Sequence, residues 1–293
     1  PFLISALAGA ESPIVPKHIY EALKPEEQPR LEQTIGTGPF LLREWVPGSH
    51  LLFVRNPNCW DAPKPYVDRL VLKVVLDPAA RAAALEAGEV DIGATPVPYG
   101  DIERFKLDKR FVVDTTTYAY SGPQQQLFFN FDTQILQDRR VRKAIAHAID
   151  HRALVNVVFF GYGLISPSPV STALPKFYDP KIQAWSFDPK AGDQLLDEAG
   201  LKRGAGGIRA KLRLTQNPFL PASFADFLRN SLRRIGLDIE ILRYDLATYL
   251  NVVYRDRAFD LTIESLSNTF DPTLGVQRAY WSKNFRIDRK SVV

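Results

Sequence analysis

The chain has 293 residues, of which 45% are hydrophobic and 24% are charged, and this composition excludes disordered, collagen-like and coiled-coil proteins. Its 37 basic and 33 acidic residues give a net charge of +4, which is too balanced to indicate a nucleic-acid partner by itself. The single cysteine, Cys59, excludes an internal disulfide and a cysteine metal cage. A membrane-spanning helix needs about eighteen consecutive apolar residues, and no apolar run approaches that length.

The first quarter of the chain is punctuated by proline and glycine. It begins at Pro1, and the sequence contains no methionine, so we expect a fragment or a processed piece of a longer protein. Residues 1–68 are predicted to form loops and short strands, with a turn at residues 36–39 (Gly-Thr-Gly-Pro) and a strand at residues 51–54.

A clearer pattern follows. Apolar residues alternate along residues 69–76 and predict a strand with the even-numbered side chains on one face. Asp77 is a suitable N-cap for a helix over residues 79–87, and Gly88 supplies its left-handed end. Residues 90–92 (Val-Asp-Ile) predict a short strand, which gives the order strand, helix, strand.

The middle of the chain predicts a strand at residues 127–131 and then a helix capped by Asp138. The buried stripe of this helix recurs at helical spacing and consists of Val141, Ala144, Ile145, Ala148 and Ile149. Basic side chains of the run at residues 139–143, Arg140 and Lys143 among them, lie towards the opposite face. We interpret it as a solvated surface, because a nucleic-acid site requires a wider basic stripe.

The last hundred residues alternate between helical and strand patterns. Asp188 caps a helix that Gly200 ends, and strands are predicted around residues 212–214, 239–241 and 259–263, with helices between them. The β-α-β-α-β order predicts an α/β fold. Ligands in such sheets bind beyond the carboxyl ends of the strands, so the loop at residues 264–272 is a candidate ligand loop.

No constellation predicts catalysis or a cofactor. His147 and His151 are four residues apart on a predicted helix, but a metal site needs further ligands, and a solvated face is the preferred interpretation. The Asp193/Asp197 pair is also interpreted as a solvated face. Cys59 has no neighbouring histidine, and the sequence contains neither a nucleophile elbow nor a phosphate loop.

Aromatic and small polar residues in predicted loops point instead to binding. A small-ligand cleft needs aromatic walls and a few fixed polar groups. The aromatic candidates are Tyr118, Tyr120, Phe270, Tyr280 and Trp281, and the polar candidates are Ser265, Ser267, Asn268, Thr269 and Asp271.

Several segments together resemble one known family. They are residues 36–45 (Gly-Thr-Gly-Pro-Phe-Leu-Leu-Arg-Glu-Trp), 53–60, 87–92, 128–151 (beginning Phe-Phe-Asn-Phe) and 232–237, with Gly236 at a helix-to-strand turn. The chain resembles the extracellular solute-binding proteins of family 5, the peptide and nickel receptors of ABC importers, from its start to about residue 285.

The resemblance implies a bilobed periplasmic-binding-protein fold of the large peptide-binding type, incomplete at both ends in this chain. It implies that residues 1–122 belong to a first lobe and residues 123–285 to a second. Residues 286–293 depart from the family pattern. The family's ligand loop falls on residues 265–272, and its crossing between the lobes falls near residues 118–131, which include Tyr118 and Tyr120.

Two departures argue against a simple dipeptide ligand. Peptide binders of this family usually place an aspartate where this chain has Asn268, and the amide lacks the charge-assisted part of a hydrogen bond to an ammonium group. Some dipeptide binders also carry an arginine near the start of the helix matching residues 223–234, where this chain has Pro-Ala-Ser at 221–223.

The expected function is therefore capture of a peptide or peptide-like solute for a membrane permease. A nickel-chelate or oligosaccharide receptor and the sensing domain of a transcription regulator are the alternatives. We expect a non-enzymatic monomer without a cofactor or a nucleic-acid partner. It would be periplasmic, or extracellular and lipid-anchored, and would contact the membrane only through an anchor or the permease.

Overall fold

The computed structural model of the chain describes residues 14–24, 35–93, 97–116, 123–267, 271–272 and 280. The packing divides the chain into two compact units on either side of the bond between Arg104 and Phe105. The lobe limits implied by the resemblance, at residues 122 and 285, remain predictions.

The first unit contains a three-stranded antiparallel sheet in the order β1-β2-β3. Its strands are β1 (Phe40–Val46), β2 (His50–Arg55) and β3 (Arg69–Lys73). Gly48, with φ of 75°, allows the tight connection between β1 and β2. β2 confirms the predicted strand at residues 51–54, whereas β1 is longer than the short strands predicted for this region.

The alternating segment after residue 68 forms β3, but the face that carries its even-numbered apolar side chains is not buried. Leu70 and Leu72 are 39% and 47% exposed, and no residue of β3 is buried. The strand predicted at residues 90–92 is wrong, because these residues form no strand and Ile92 is 90% exposed. No neighbouring strand in the described chain offers them hydrogen-bond partners.

The helices of the first unit are short. They are α1 (Lys17–Tyr20) and α2 (Pro78–Glu86), and α3 (Ile102–Leu107) spans the division between the units after a 3₁₀ turn at Tyr99–Asp101. The predicted cap of α2 is confirmed, since the Asp77 carboxylate accepts a 2.7 Å hydrogen bond from the backbone N–H of Ala80. Gly88 follows with φ of 73°.

The second unit contains a four-stranded mixed sheet in the order β4-β7-β5-β6. The strands are β4 (Gln124–Phe129), β5 (Ala210–Gln216), β6 (Leu237–Leu242) and β7 (Leu261–Leu266). β5 pairs in parallel with both β6 and β7, and β4 pairs antiparallel with β7. The predicted β-α-β-α-β order is confirmed, and β7 is a central strand.

Helices pack against this sheet and against each other: α4 (Gln134–Gln137), α5 (Arg139–Ala148), α6 (His151–Phe159), α7 (Pro189–Glu198), α8 (Ala222–Arg234) and α9 (Leu246–Leu250), which continues into a π-helical turn at Asn251–Arg255. The predicted stripe of α5 is confirmed, because all five of its residues are buried. α6 meets α8 through an edge-to-face contact of Phe159 with Phe224, with ring centroids 5.6 Å apart.

Candidate functional site

The parallel strands of the second unit define the edge at which a ligand is expected. β5 ends at Gln216 and β7 at Leu266, and because they are parallel their carboxyl ends meet at one edge of the sheet. The antiparallel β4 begins at this edge, since Gln124 pairs with Leu266. We call the side chains here the carboxyl edge: Gln124, Gln126, Gln216, Asn217, Glu264, Ser265 and Ser267.

A buried carboxylate lies at the centre of the carboxyl edge. Glu264 is 5% exposed and accepts four hydrogen bonds. Its Oε1 accepts from Asn217 Nδ2 at 2.6 Å and from the Ser265 N–H at 2.8 Å. Its Oε2 accepts from the hydroxyls of Tyr249 at 2.9 Å and Tyr254 at 2.8 Å.

Burial dominates the chemistry of the Tyr249 phenol. It raises the pKa of Tyr249 well above the usual value; the hydrogen bond with Thr262 acts in the opposite direction, and the neighbouring Glu264 charge reinforces the rise. The phenol therefore stays protonated and donates to the carboxylate.

The loop after β5 is held to the sheet by amide side chains. Gln216 is buried, donates to the carbonyls of Leu220 and Pro221, and accepts from the Ala225 N–H at 3.1 Å. It thereby fixes the start of α8. Asn217 accepts from the Phe219 N–H at 3.0 Å, and the Phe219 side chain is 78% exposed.

The start of β4 contributes two further amides. Gln124 is buried and its Nε2 donates to Ser166 Oγ at 2.5 Å and to the Ser168 carbonyl at 3.1 Å. Gln126 Oε1 accepts a 2.8 Å hydrogen bond from the Tyr280 hydroxyl. These contacts bring residues 166–168 and Tyr280 to the carboxyl edge.

The structure describes four of the predicted binding residues: Tyr280, whose contact with Gln126 is given above, Ser265, Ser267 and Asp271. Ser265 lies within β7, opposite Gln125, and is half-buried. Ser267 follows the strand directly, and it and Asp271 are also half-buried. The strand therefore includes residues 264–266, and the loop begins after Leu266. The other predicted residues lie outside the described part of the chain: Tyr118, Tyr120, Asn268, Thr269, Phe270 and the aromatic candidate Trp281.

Periodicity missed Asn217, Tyr254 and the role of Glu264. One signal in the sequence was available, because Glu264 interrupts a run of strand-forming residues (Leu-Thr-Ile-Glu-Ser-Leu, 261–266). A charged residue in a central strand indicates a buried carboxylate with dedicated partners. The partners themselves are 10 to 47 positions away in the chain, and only the fold brings them together.

The interpretation of His147 and His151 as one face of a helix is wrong. α5 ends at Ala148, and Asp150 caps α6, which begins at His151. His147 Nδ1–H donates to the Ser186 carbonyl at 2.9 Å. Burial lowers the pKa of the His151 imidazole, and the Asp150 charge only partly offsets this. Within the described residues, no group of three or more potential ligands could hold a metal ion.

Asp193 and Asp197 lie on a partly exposed side of α7, as predicted, but both also form ion pairs that the sequence did not indicate. Both carboxylates pair with Arg209, whose side chain is only 2% exposed, at 3.1 Å and 2.8 Å respectively. Arg203 also pairs with Asp193. The two acids therefore anchor β5 to α7.

None of the helices that the structure describes has both the length and the apolar surface needed to cross a membrane.

Comparison with known proteins identifies the family. Residues 3–286 match the family described as bacterial extracellular solute-binding proteins, family 5 Middle. The oligopeptide-binding protein AppA of Bacillus subtilis is 29% identical over 244 residues, which cover 78% of this chain and 43% of AppA.

Two solved structures are similar in fold. DppA of Helicobacter pylori, in complex with the peptide STSA, is 25% identical with a TM-score of 0.68, and the match covers 78% of this chain and 43% of DppA. NikA of Brucella suis, in complex with Fe(III)-EDTA, is 27% identical with a TM-score of 0.65, and the match covers 81% and 49%.

These likenesses confirm the predicted α/β fold of the bilobed periplasmic-binding type. The chain spans about half the length, or less, of the curated relatives it matches. Since the family match extends over nearly the whole chain, the chain belongs to the bacterial extracellular solute-binding proteins of family 5.

Proposed function

We propose that the chain is part of a solute receptor that binds a peptide or peptide-like solute at the carboxyl edge and delivers it to the permease of an ABC importer. The observation that carries this proposal is the chemistry of the edge. Gln126, Asn217 and Ser267 carry amide and hydroxyl groups on three segments that reach this edge, and the ring of Phe219, two residues after Asn217, is exposed.

This chemistry suits a peptide. Each peptide group offers one N–H donor and one C=O acceptor, and amide and hydroxyl side chains can both donate and accept. An exposed aromatic ring provides an apolar surface for a side chain or for stacking. The names of the relatives support the same ligand class, since AppA is an oligopeptide-binding protein and DppA was crystallised with a peptide.

We assign ligand contacts to Ser265, Ser267 and Asp271, which the structure describes, and to Tyr118, Tyr120, Asn268, Thr269 and Phe270. The receptor would act without catalysis, as a monomer, outside the cytoplasmic membrane, and closure around the solute would favour its recognition by the permease. The similarity to NikA with Fe(III)-EDTA makes a metal chelate the second ligand class to test.

The amide side chain of Asn268 predicts how strongly the receptor prefers a peptide with a free α-ammonium group. It can accept a hydrogen bond from an α-ammonium group but adds no charge. We therefore expect N-acetylation of a bound peptide to weaken binding by less than about tenfold. Asn268→Asp should increase the preference for the free amine, as measured by titration calorimetry with both peptide forms. A preference unchanged by this substitution would contradict the assignment of Asn268.

The proposal is tested on the full-length gene product by a thermal-shift screen. The panel contains dipeptides, Ser-Thr-Ser-Ala, a random nonapeptide mixture, nickel–histidine and Fe(III)-EDTA. A compound present at 100 times its Kd should add about 2.7 kcal/mol of stability. Stabilisation by one peptide class, reduced but not abolished in Asn268→Ala, supports the proposal. If no panel member shifts the melting temperature, a peptide or chelate receptor is excluded.

A further inference from the structure

The carboxylate of Glu264 has an unusual environment for a strand residue. It lies in the central strand β7, between the buried side chains of Ile263 and Leu266. Burying a carboxylate costs several kcal/mol unless hydrogen bonds compensate, so an apolar residue would be the more stable choice here. None of the ion pairs formed among the described residues includes Glu264. Among the described residues, its charge is therefore compensated by four hydrogen-bond donors.

Those four donors come from three of the segments that meet around β7 at the carboxyl edge. Asn217 opens the loop after β5, Tyr249 lies on α9, and Tyr254 lies in the π-helical turn that follows. The fourth donor is the N–H of Ser265, the next residue of the chain. One carboxylate thus connects three segments that are separate in sequence.

The Ser265 contact marks the place where β7 extends beyond its neighbour β5 while it is still paired with β4. The Ile263 carbonyl accepts the last hydrogen bond from the β5 side, given by the Asn217 N–H at 2.9 Å. β5 has ended at this point, so the Ser265 N–H has no ladder partner there and donates to Glu264 instead. Charge-assisted hydrogen bonds are directional, so this contact sets the direction in which the chain continues.

We propose that Glu264 is a positioning residue of the site: its buried carboxylate fixes Ser265, near the end of β7, and the loop at residues 217–219 relative to each other, and thereby sets solute affinity. The effect on solute affinity rests on the proposed function, whereas the positioning of the two segments does not depend on the identity of the solute. Glu264 would not contact the solute, because its lone pairs are already directed at four donors of the chain.

The experiment compares Glu264→Gln with a matched control at the other end of the same strand. Asp260 is a second buried carboxylate, four residues earlier on the chain, and it directly precedes β7. Its carboxylate accepts hydrogen bonds from Arg213 and Thr133, which are not residues of the carboxyl edge. Asp260→Asn therefore removes a buried charge next to β7 without changing the hydrogen bonds of Glu264.

The first readout is hydrogen exchange of the full-length gene product without added solute. In Glu264→Gln we expect the amides of residues 265–272 and 217–219 to exchange at least tenfold faster than in the wild type. In Asp260→Asn they should exchange at the wild-type rate once global stability is accounted for. Equal exchange at these segments in Glu264→Gln and the wild type would overturn the proposal.

The second readout is the Kd for Ser-Thr-Ser-Ala, or for the panel member with the largest stabilisation of the wild type. Glu264→Gln should weaken binding at least tenfold at a temperature where it is fully folded, and Asp260→Asn should leave the Kd within about twofold. Faster exchange with an unchanged Kd would overturn the link to affinity. If the wild type binds no panel member, the proposed function fails, and the exchange data still decide whether Glu264 positions the two segments.

Discussion

Asp260 is a buried carboxylate that directly precedes β7, and hydrogen bonds compensate its burial. Its carboxylate accepts from the Arg213 N–H at 2.7 Å, from the Arg213 guanidinium at 3.2 Å and from the Thr133 hydroxyl at 2.7 Å. Burial alone would raise the pKa of Asp260, but these hydrogen bonds outweigh it and hold the pKa below its usual value.

The lowered pKa makes the contribution of Asp260 depend on pH. A depressed native pKa stabilises the fold above the unfolded value of about 3.9, and this stability is lost as the pH falls through the native pKa. We expect Asp260→Asn to lose about 2 kcal/mol at pH 7 and to approach the wild type at pH 3, measured by urea unfolding. A loss of equal size at both pH values would show that the charge is not the cause.

Gly236 tests a backbone requirement at the turn between α8 and β6. Its φ is +81°, and a Cβ atom there would lie 2.7 Å from the Gly207 carbonyl oxygen. We expect Gly236→Ala to cost about 2 to 3 kcal/mol, which combines the left-handed penalty with this clash. Gly200 has φ of +84° with open space around it, so Gly200→Ala should cost only about 1 kcal/mol. Similar losses in the two variants would exclude the clash as a cause.

At the scale of elements, the sequence predicted correctly the helices in which the spacing of apolar residues matches the buried face. The stripe of α5 and the caps Asp77, Asp138 and Asp188 were visible because burial and capping are local to one helix. The wrong assignments, the strand at residues 90–92 and the shared face of His147 and His151, depended on a pairing partner and on a helix break. Neither is encoded in the spacing of apolar residues.

The same reason limited prediction of the site. The carboxyl edge could be located from the order of the strands, and Ser265 and Ser267 were identified with it. The cluster around Glu264 could not be predicted, because Asn217 and Tyr254 reach it only after β5 and β7 have paired and the π-helical turn has formed. Contacts between distant segments follow from topology and not from local pattern.

The contact of α5 with α7 depends on one small residue. A Cβ atom on Gly192 would lie 3.1 Å from the Ala144 carbonyl oxygen and 3.4 Å from the Ile235 side chain. We expect Gly192→Val to force the helices apart and to cost about 2 kcal/mol in chemical unfolding. Gln194→Val, on the exposed side of the same helix, should stay within about 0.5 kcal/mol of the wild type. Equal losses would mean that helix propensity, not packing, decides the outcome.

At the scale of the whole molecule, the sheet of the first unit leaves apolar side chains in solvent. Trp45 is 60% exposed, and Leu70, Val71 and Leu72 of β3 are 39%, 49% and 47% exposed. A contiguous apolar surface on a strand favours association with another chain. We therefore expect the 293-residue chain on its own to have low solubility and to bind the dye ANS.

Substitution on β3 checks this expectation. Leu70→Lys combined with Leu72→Lys should lower ANS fluorescence by at least half and raise solubility, because both side chains lie on one face of the strand. The control is Leu107→Lys combined with Val112→Lys, which changes two highly exposed residues outside the sheet. An equal decrease in both double variants would locate the dye-binding surface elsewhere.

Binding of a peptide-like solute at the carboxyl edge of β5 and β7 can be tested by mapping which backbone amides the solute protects from hydrogen exchange. Hydrogen exchange of the full-length gene product would be compared with and without a saturating concentration of Ser-Thr-Ser-Ala, or of the best compound in the thermal-shift screen. We expect the protection from exchange to be concentrated in the amides of residues 216–219 and 264–272. Protection confined to other segments, or no protection with any stabilising compound, would contradict it.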